Sequence, residues 1–236
     1  MNKFAYYVLH YGKDWLFHSL KSVRQYVDEI YVFYADRPTF GHTTNISCPE
    51  SKQELHEIAK MFDVRWIQVG RFPYEGLERD YAVNLCKLNG AEIVIVTDAD
   101  EIWDQNYLPY AIDYVRSMNT ARSWRCNFRH LWKTVNWICD DPAMPVRIID
   151  LRHNEGEGYV HKRFDTDVVY HFGYAQNQET IKYKMEIHGH KNELRPNWYE
   201  EKFVNWKPGM NDVHPTNVDF WNPQLFDTNV IKHLIS

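Results

Sequence analysis

Glu92-Ile93-Val94-Ile95-Val96-Thr97-Asp98-Ala99-Asp100-Glu101 changes character abruptly at its seventh residue. Ile93 to Thr97 is apolar or β-branched at every position, so both faces of that strand are buried, as in the middle of a parallel sheet. The acids that follow mark its carboxyl end, and open α/β sheets bind their ligands beyond that edge. Two carboxylates at i and i+2 can converge on one divalent ion once the chain turns. Hard oxygen donors suit Mg²⁺ or Mn²⁺. Such an ion would bridge a diphosphate and neutralise charge developing on a leaving group. The plainer reading is a pair of solvated loop acids that cap a following helix.

Upstream, strands and helices alternate. Phe4 to Leu9 is a compact apolar strand, and Asp14 is placed to cap a helix that carries Leu16, Leu20, Val23 and Val27 on one face. Glu29 to Tyr34 is a second strand. Ser51-Lys52-Gln53-Glu54 is a capping box, with Leu55, Ile58, Ala59 and Phe62 as the stripe behind it. Val64 to Val69 is a third strand, and Gly76 to Leu88 is a helix closed by Asn89-Gly90. This order predicts βαβ units and an α/β fold with a mostly parallel central sheet flanked by helices, the strand at Ala91 to Thr97 near its centre.

Downstream the pattern changes. Trp124, Cys126, Phe128, His130 and Trp132 alternate with Arg125, Asn127, Arg129 and Lys133, which describes a two-faced strand. Val146 to Leu151 and Val168 to His171 are further strands, and Glu179 to His188 is helical. From Leu194 the chain is rich in Pro, Asn and Trp and reads as an irregular wrapping tail. The expectation is one domain over 1–236, with a ligand-binding half at 1–105 and a strand, helix and tail region at 106–236.

The 236 residues are 44% hydrophobic and 25% charged, which excludes a disordered or fibrous chain. No apolar run approaches the roughly eighteen residues of a membrane span. A net charge of −5 argues against a general nucleic-acid binder. Aromatics reach 16%, which suits sugar or base stacking as well as a Trp-rich core. Cys48, Cys86, Cys126 and Cys139 form no CxxC pair, so a zinc site is not expected. The short apolar stretch after Met1 is no signal peptide, which points to a cytoplasmic protein with reduced thiols, for which the Asn45-Ile46-Ser47 sequon has no meaning.

The chain resembles glycosyltransferases of the GT-A fold, close to the family 2 type. Residues 28–36 (DEIYVFYAD) are similar to that family's second-strand signature. Residues 76–103 (GLERDYAVNLCKLNGAEIVIVTDADEIW) are similar to its stretch leading into the DxD motif. The likeness covers about the first 105 residues. It implies Mn²⁺ or Mg²⁺ and a nucleotide-sugar donor, with a UDP-sugar as the expectation. It places Asp98 at the ribose or sugar and at the metal, Asp100 at the metal, and Arg79 at the nucleotide. The family's uracil-binding Asp falls at Tyr34, with Asp36 two residues on, so Tyr34 would stack on the base and Asp36 would bond to it.

His171, at the end of an apolar strand and before Phe172-Gly173, can supply a nitrogen ligand to the same ion, and similar enzymes carry a His in this region. His188-Gly189-His190-Lys191 is a weaker rival that more often marks a polar helix end. Asp140-Asp141 before Pro142 is the nearest match to the family's base, which takes the proton from the acceptor hydroxyl in inverting transfer. An Asp-Pro turn explains the same residues equally well. The motif for processive synthesis is absent, so single addition is expected. Trp103 is a candidate for acceptor stacking, and the Trp124–Lys133 strand is read as an amphipathic strand before a nucleic-acid surface.

Three functions are weighed: a metal-dependent, inverting, non-processive glycosyltransferase acting on a glycan or other hydroxyl; a sugar-nucleotide nucleotidyltransferase; and an inactive carbohydrate-binding domain. The nucleotidyltransferase expects a basic, Gly-rich phosphate loop after the first strand, where this chain has His10-Tyr11-Gly12-Lys13-Asp14. A hydroxymethylated DNA base is a further conceivable acceptor, unsupported by the net charge.

Overall fold

The computed structural model describes residues 1–42, 44–118, 123–152 and 161–236. In chain order its strands are β1 (Lys3–Leu9), β2 (Glu29–Tyr34), β3 (Arg65–Gln68), β4 (Ile93–Thr97), β5 (Glu101–Trp103), β6 (Ser123–Trp132), β7 (Trp137–Asp140), β8 (Val146–Asp150), β9 (His161–Tyr174) and β10 (Gln224–Leu225). The helices are α1 (Lys13–Arg24), α2 (Lys52–Ala59), α3 (Glu75–Leu88), α4 (Leu108–Ser117), α5 (Gln178–Glu186) and α6 (Lys232–Ile235). The fold is mixed α/β, a central sheet flanked by helices.

The sheet runs β10-β7-β6-β8-β4-β1-β2-β3, with β9 paired to β6 and β5 paired to β9. β3, β2, β1 and β4 are parallel. β4 then pairs antiparallel with β8, and β8 with β6, while β9 returns parallel to β6. The sheet is thus parallel through the first half and mixed through the second. β4 is buried at all five positions because it lies between β1 and β8 with helices above and below. The strand order reverses at β1 and β4, since β1 is followed by β2 on one side and β4 lies on the other. In open α/β sheets such a reversal is where ligands bind, beyond the carboxyl ends of the strands.

Local signals act as the sequence suggests. Ser51 and Glu54 close a reciprocal capping box at α2, and Gly90 follows α3 with φ +91°. One expectation is corrected: α1 begins at Lys13 with Gly12 at its N-cap, and Asp14 lies inside the first turn. The Asp14 carboxylate instead accepts bonds from the backbone N–H and Nδ2 of Asn177, tying α1 to the start of α5.

The tail is irregular but not loose. Trp198, Phe203, Val213 and Trp221 pack on Trp132, Tyr174, Ile181 and Met185 in one cluster. Each such buried ring removes about 150–250 Å² from water, which at about 25 cal/mol per Å² stabilises by up to about 4–6 kcal/mol. The Trp-rich composition therefore serves largely as core.

Candidate active site

The Asp98–Asp100 turn is held from three sides. Its close begins with Glu101 N–H donating to the Asp98 carbonyl at 3.1 Å. From α1, Ser19 Oγ donates to the Glu101 carbonyl at 2.6 Å, and Ser22 Oγ accepts from Trp103 N–H at 3.1 Å. From β9, Phe172 N–H donates to the Asp100 carbonyl at 2.7 Å. The β1–α1 turn passes so close that a Cβ on Gly12 would sit 2.5 Å from the Ala99 Cβ. With φ +126°, Gly12 also has a backbone that side chains rarely adopt. Trp103 is fully buried, its indole N–H bonded to Thr97 Oγ1 at 3.0 Å, so it cannot stack on an acceptor.

The two carboxylates of the turn face different cations. Asp98 accepts from Arg79 Nη2 at 3.0 and 3.3 Å and from Arg147 Nη2 at 3.0 Å. Arg147 also grips Glu101 through Nε at 2.8 Å and Nη2 at 2.5 Å. Burial pushes the Asp98 carboxyl up, but the two guanidiniums outweigh it and hold the group below the usual carboxylate range. At Glu101, which is fully enclosed, burial wins over Arg147 and the group is raised. Asp100 Oδ2 accepts from Gln176 Nε2 at 3.0 Å and lies 3.3 Å from Lys184 Nζ. Its Oδ1 lies 3.6 Å from His171 Nε2. Burial again opposes ionisation, and Lys184 and His171 reverse it strongly.

His171 is placed by an absence. A Cβ on Gly173 would lie 2.4 Å from both Cε1 and Nε2 of His171, so the imidazole lies across a position only glycine can hold. On its other edge, His171 Nδ1 is 2.9 Å from His130 Nδ1, the residue opposite it in the β6–β9 register. His130 Nε2 in turn lies 3.8 Å from Asp141 Oδ2. An unprotonated His171 Nε2 would turn a lone pair toward Asp100 Oδ1. A nitrogen and a carboxylate oxygen 3.6 Å apart are an acceptor pair suited to one cation between them.

The donor set therefore fits a divalent ion at Asp100 and His171, and fits it poorly at Asp98, both of whose oxygens are taken by arginines. Among the described residues no group of three or more His, Cys, Asp or Glu is arranged to hold a metal, and His188 and His190 belong to none. Asp98, expected at the same ion, is instead paired with Arg79 and Arg147.

The other expected residues divide. Arg79 joins the site. Asp36 is exposed and lines an open cleft of about 370 Å³ beyond β2, with Arg37, Cys48, Arg71 and Tyr183. Tyr34 does not face it. Its ring is 5% exposed and stacks on Trp66 at 5.1 Å, so it offers no face to a base. Asp140 is exposed and pairs with Arg129 at 3.1 Å. The Asp141 carboxylate is enclosed and accepts from Trp221 Nε1 and Ala143 N–H, each at 2.7 Å, so it is not poised as a base.

Several site residues escaped the sequence reading. Arg147 carried a signal, a lone cation in an otherwise apolar strand. Gly173 carried one too, as the glycine after His171. Lys184 and Gln176 look like ordinary surface residues, and only the packing of α5 against β9 brings them to Asp100. His10 Nδ1 donates to the Ala35 carbonyl at 2.8 Å and its Nε2 accepts from Tyr183 Oη at 2.6 Å, which fastens α5 to the end of β1. Glu50 Oε2 accepts from the backbone N–H groups of Gly12 and Lys13 at 2.7 and 2.8 Å, and its Oε1 accepts from Thr180 Oγ1. The N-terminus of α1 is thus already filled by an anion of the chain itself.

No protein-family model matches the chain, and no curated protein does. Among solved structures, residues 1–349 of S. aureus TarS align over 79% of this chain and 64% of that one, at 11% identity and a TM-score of 0.47. A mannosyltransferase from Pyrobaculum calidifontis, in complex with GDP-Man and Mn²⁺, aligns over 54% and 36% at 18% identity and 0.39. The 4-diphosphocytidyl-2C-methyl-D-erythritol synthase of Anaerococcus prevotii aligns over 77% and 96% at 10% identity and 0.46. This chain spans less than two thirds of the TarS fragment it matches. No helix among the described residues is long and apolar enough to cross a membrane.

Proposed function

We propose that the chain is a metal-dependent glycosyltransferase of the GT-A type that moves a sugar from a nucleotide-sugar, a UDP-sugar in the first instance, to an acceptor hydroxyl. The observation that carries the reading is the position of Asp98 and Asp100 directly after β4, where the strand order reverses. One is clamped by Arg79 and Arg147, and the other faces His171 across 3.6 Å. Asp100 and His171 would hold Mn²⁺ or Mg²⁺, which when bound neutralises the diphosphate leaving group. Asp98 and Arg79 are positioned for the ribose and phosphate side of the donor, and Arg147 fixes the orientation of Asp98. Asp36, at the cleft beyond β2, bonds to the base. Asp140 takes the proton of the acceptor hydroxyl, transfer inverts the anomeric centre, and one sugar is added per encounter.

Glu50 separates this reading from nucleotidyl transfer. A phosphate loop after β1 would direct its N–H groups at the nucleotide, whereas Gly12 and Lys13 spend theirs on Glu50. The acceptor is a glycan or another hydroxyl compound, and with a net charge of −5 a DNA acceptor has no electrostatic support.

The test is calorimetric titration with UDP, CDP and GDP, with and without Mn²⁺, beside Asp100→Ala, followed by donor hydrolysis. The expected result is metal-dependent binding that Asp100→Ala abolishes, with turnover down by roughly a hundredfold or more. Near-normal turnover in that variant refutes the assignment, and a retained anomeric configuration refutes the role of Asp140.

A further inference from the structure

Each carboxyl group of the Asp98–Glu101 turn is paired with a cation, and Glu75 shares Arg79 with Asp98. Three carboxyl groups, Asp98, Asp100 and Glu101, face Arg79, Arg147 and Lys184. The two arginines belong to Asp98 and Glu101. Lys184 belongs to Asp100: its Nζ lies 3.3 Å from Oδ2 and donates to the Gly173 carbonyl at 3.0 Å, and its side chain is 15% exposed. It also lies 2.9 Å from where a Gly173 Cβ would be, the same empty position the His171 ring crosses. The ammonium thus sits beside both residues that would hold the metal. It reaches there on a flexible stem from α5 and also lies over the Tyr174 ring at 4.9 Å, as a point charge unlike the bidentate grip of Arg147 on Glu101.

We propose that Lys184 is a place-holding cation. In the free protein it neutralises Asp100 and keeps a bare divalent ion out. When the donor arrives its diphosphate draws the ammonium away, and the ion enters with the nucleotide. This deepens the donor reading above and rests on it. A divalent ion alone brings two positive charges among three cations, and it must displace an ammonium already paired with its best ligand. The diphosphate of a nucleotide-sugar carries about two negative charges, about three in free UDP, so ion and diphosphate together bring no net positive charge and give Lys184 a new anionic partner. Arg147 cannot take this part, because moving it would strip the enclosed Glu101. The site therefore takes a metal–nucleotide complex and rejects the metal by itself.

The test is a Mn²⁺ titration followed by electron paramagnetic resonance of the free ion, without and with UDP, on the wild type, Lys184→Met and Lys184→Arg. Thermal melting of each variant confirms folding. The wild type is expected to bind Mn²⁺ at least tenfold more weakly without UDP than with it. Lys184→Met is expected to bind Mn²⁺ alone at least tenfold more tightly than the wild type, and Lys184→Arg to behave as the wild type does. Tight binding of Mn²⁺ alone by the wild type overturns the proposal. So does a Lys184→Met variant that binds UDP with Mn²⁺ but gains nothing for Mn²⁺ alone. If neither the wild type nor any variant binds Mn²⁺ with UDP, the donor reading itself fails and takes this inference with it.

Discussion

Gly12→Ala tests how tightly the site is built, without any assumption about substrate. Two penalties add at this position. The φ of +126° lies outside what an L-residue adopts easily, and such strain costs about 1–3 kcal/mol. The new Cβ also arrives 2.5 Å from the Ala99 Cβ, about 1 Å inside ordinary contact, and overpacking of this kind costs typically about 1–3 kcal/mol. The sum is about 2–6 kcal/mol. For a chain of this size each kcal/mol lowers Tm by about 2–4 °C. The two terms can be separated, because only the second needs Ala99. In the Gly12→Ala/Ala99→Gly double variant the obstacle is gone and the strain stays. A double-mutant cycle, read by urea unfolding, is therefore expected to return a favourable coupling of about 1–3 kcal/mol. Strict additivity would refute the claim that the β1–α1 turn and the Asp98–Asp100 turn are fitted to each other. A Gly12→Ala protein as stable as the wild type would refute both terms.

Two other perturbations act on buried charge. Burial, with Glu75 nearby, raises Glu78 to about 7. The folded state therefore holds this proton more tightly than the unfolded chain, and stability falls as pH rises from about 4.5 through 7. Glu78→Gln is expected to remove that share of the loss, gaining about 1–3 kcal/mol at pH 8 and nothing at pH 4; urea midpoints across that range check it. Asp98 and Asp100 act with the opposite sign: their lowered values give stability that is present above about pH 4 and lost as pH falls below it. Arg147→Met leaves the enclosed Glu101 without its cation and should cost about 3–5 kcal/mol. Glu101→Gln added to it should recover part of the loss, both read as Tm.

The first half of the molecule was legible because each element is specified locally. A run such as Ile93 to Thr97 has only one comfortable place in an α/β sheet, and the Ser51–Glu54 box fixes a helix start within four residues. The second half was legible only in part. β5 is three residues long, and α4 carries Pro109 near its start and no side-chain N-cap, so neither presents a clear period. The charged residues of the site divide the same way. Asp98, Asp100 and Arg79 lie in stretches whose order is itself informative. Lys184, Gln176 and Glu50 reach the site through pairings across 76 to 130 residues of chain, which no local pattern encodes. Tyr34 and Trp103 show the converse: an aromatic at a strand end reads as a binding surface, yet each has a neighbour waiting for it in the core.

β9 ties the acidic turn to the second half of the sheet, and that has a consequence for the order in which the molecule is made. It pairs with β5 directly after the acidic turn and lies in register with β6. A nascent chain that has emerged only to residue 105 holds Ile93 to Thr97 with one edge unpaired. It holds three acids with Arg79 as their one partner from the site. Arg147, His171 and Lys184 are still unmade or inside the ribosome. The strand that closes this edge, β8, pairs antiparallel and is made later, so an apolar strand edge stays open while synthesis proceeds. Slowing elongation through residues 106–170 should lower the yield of native protein, and a chaperone that shields strand edges should restore it.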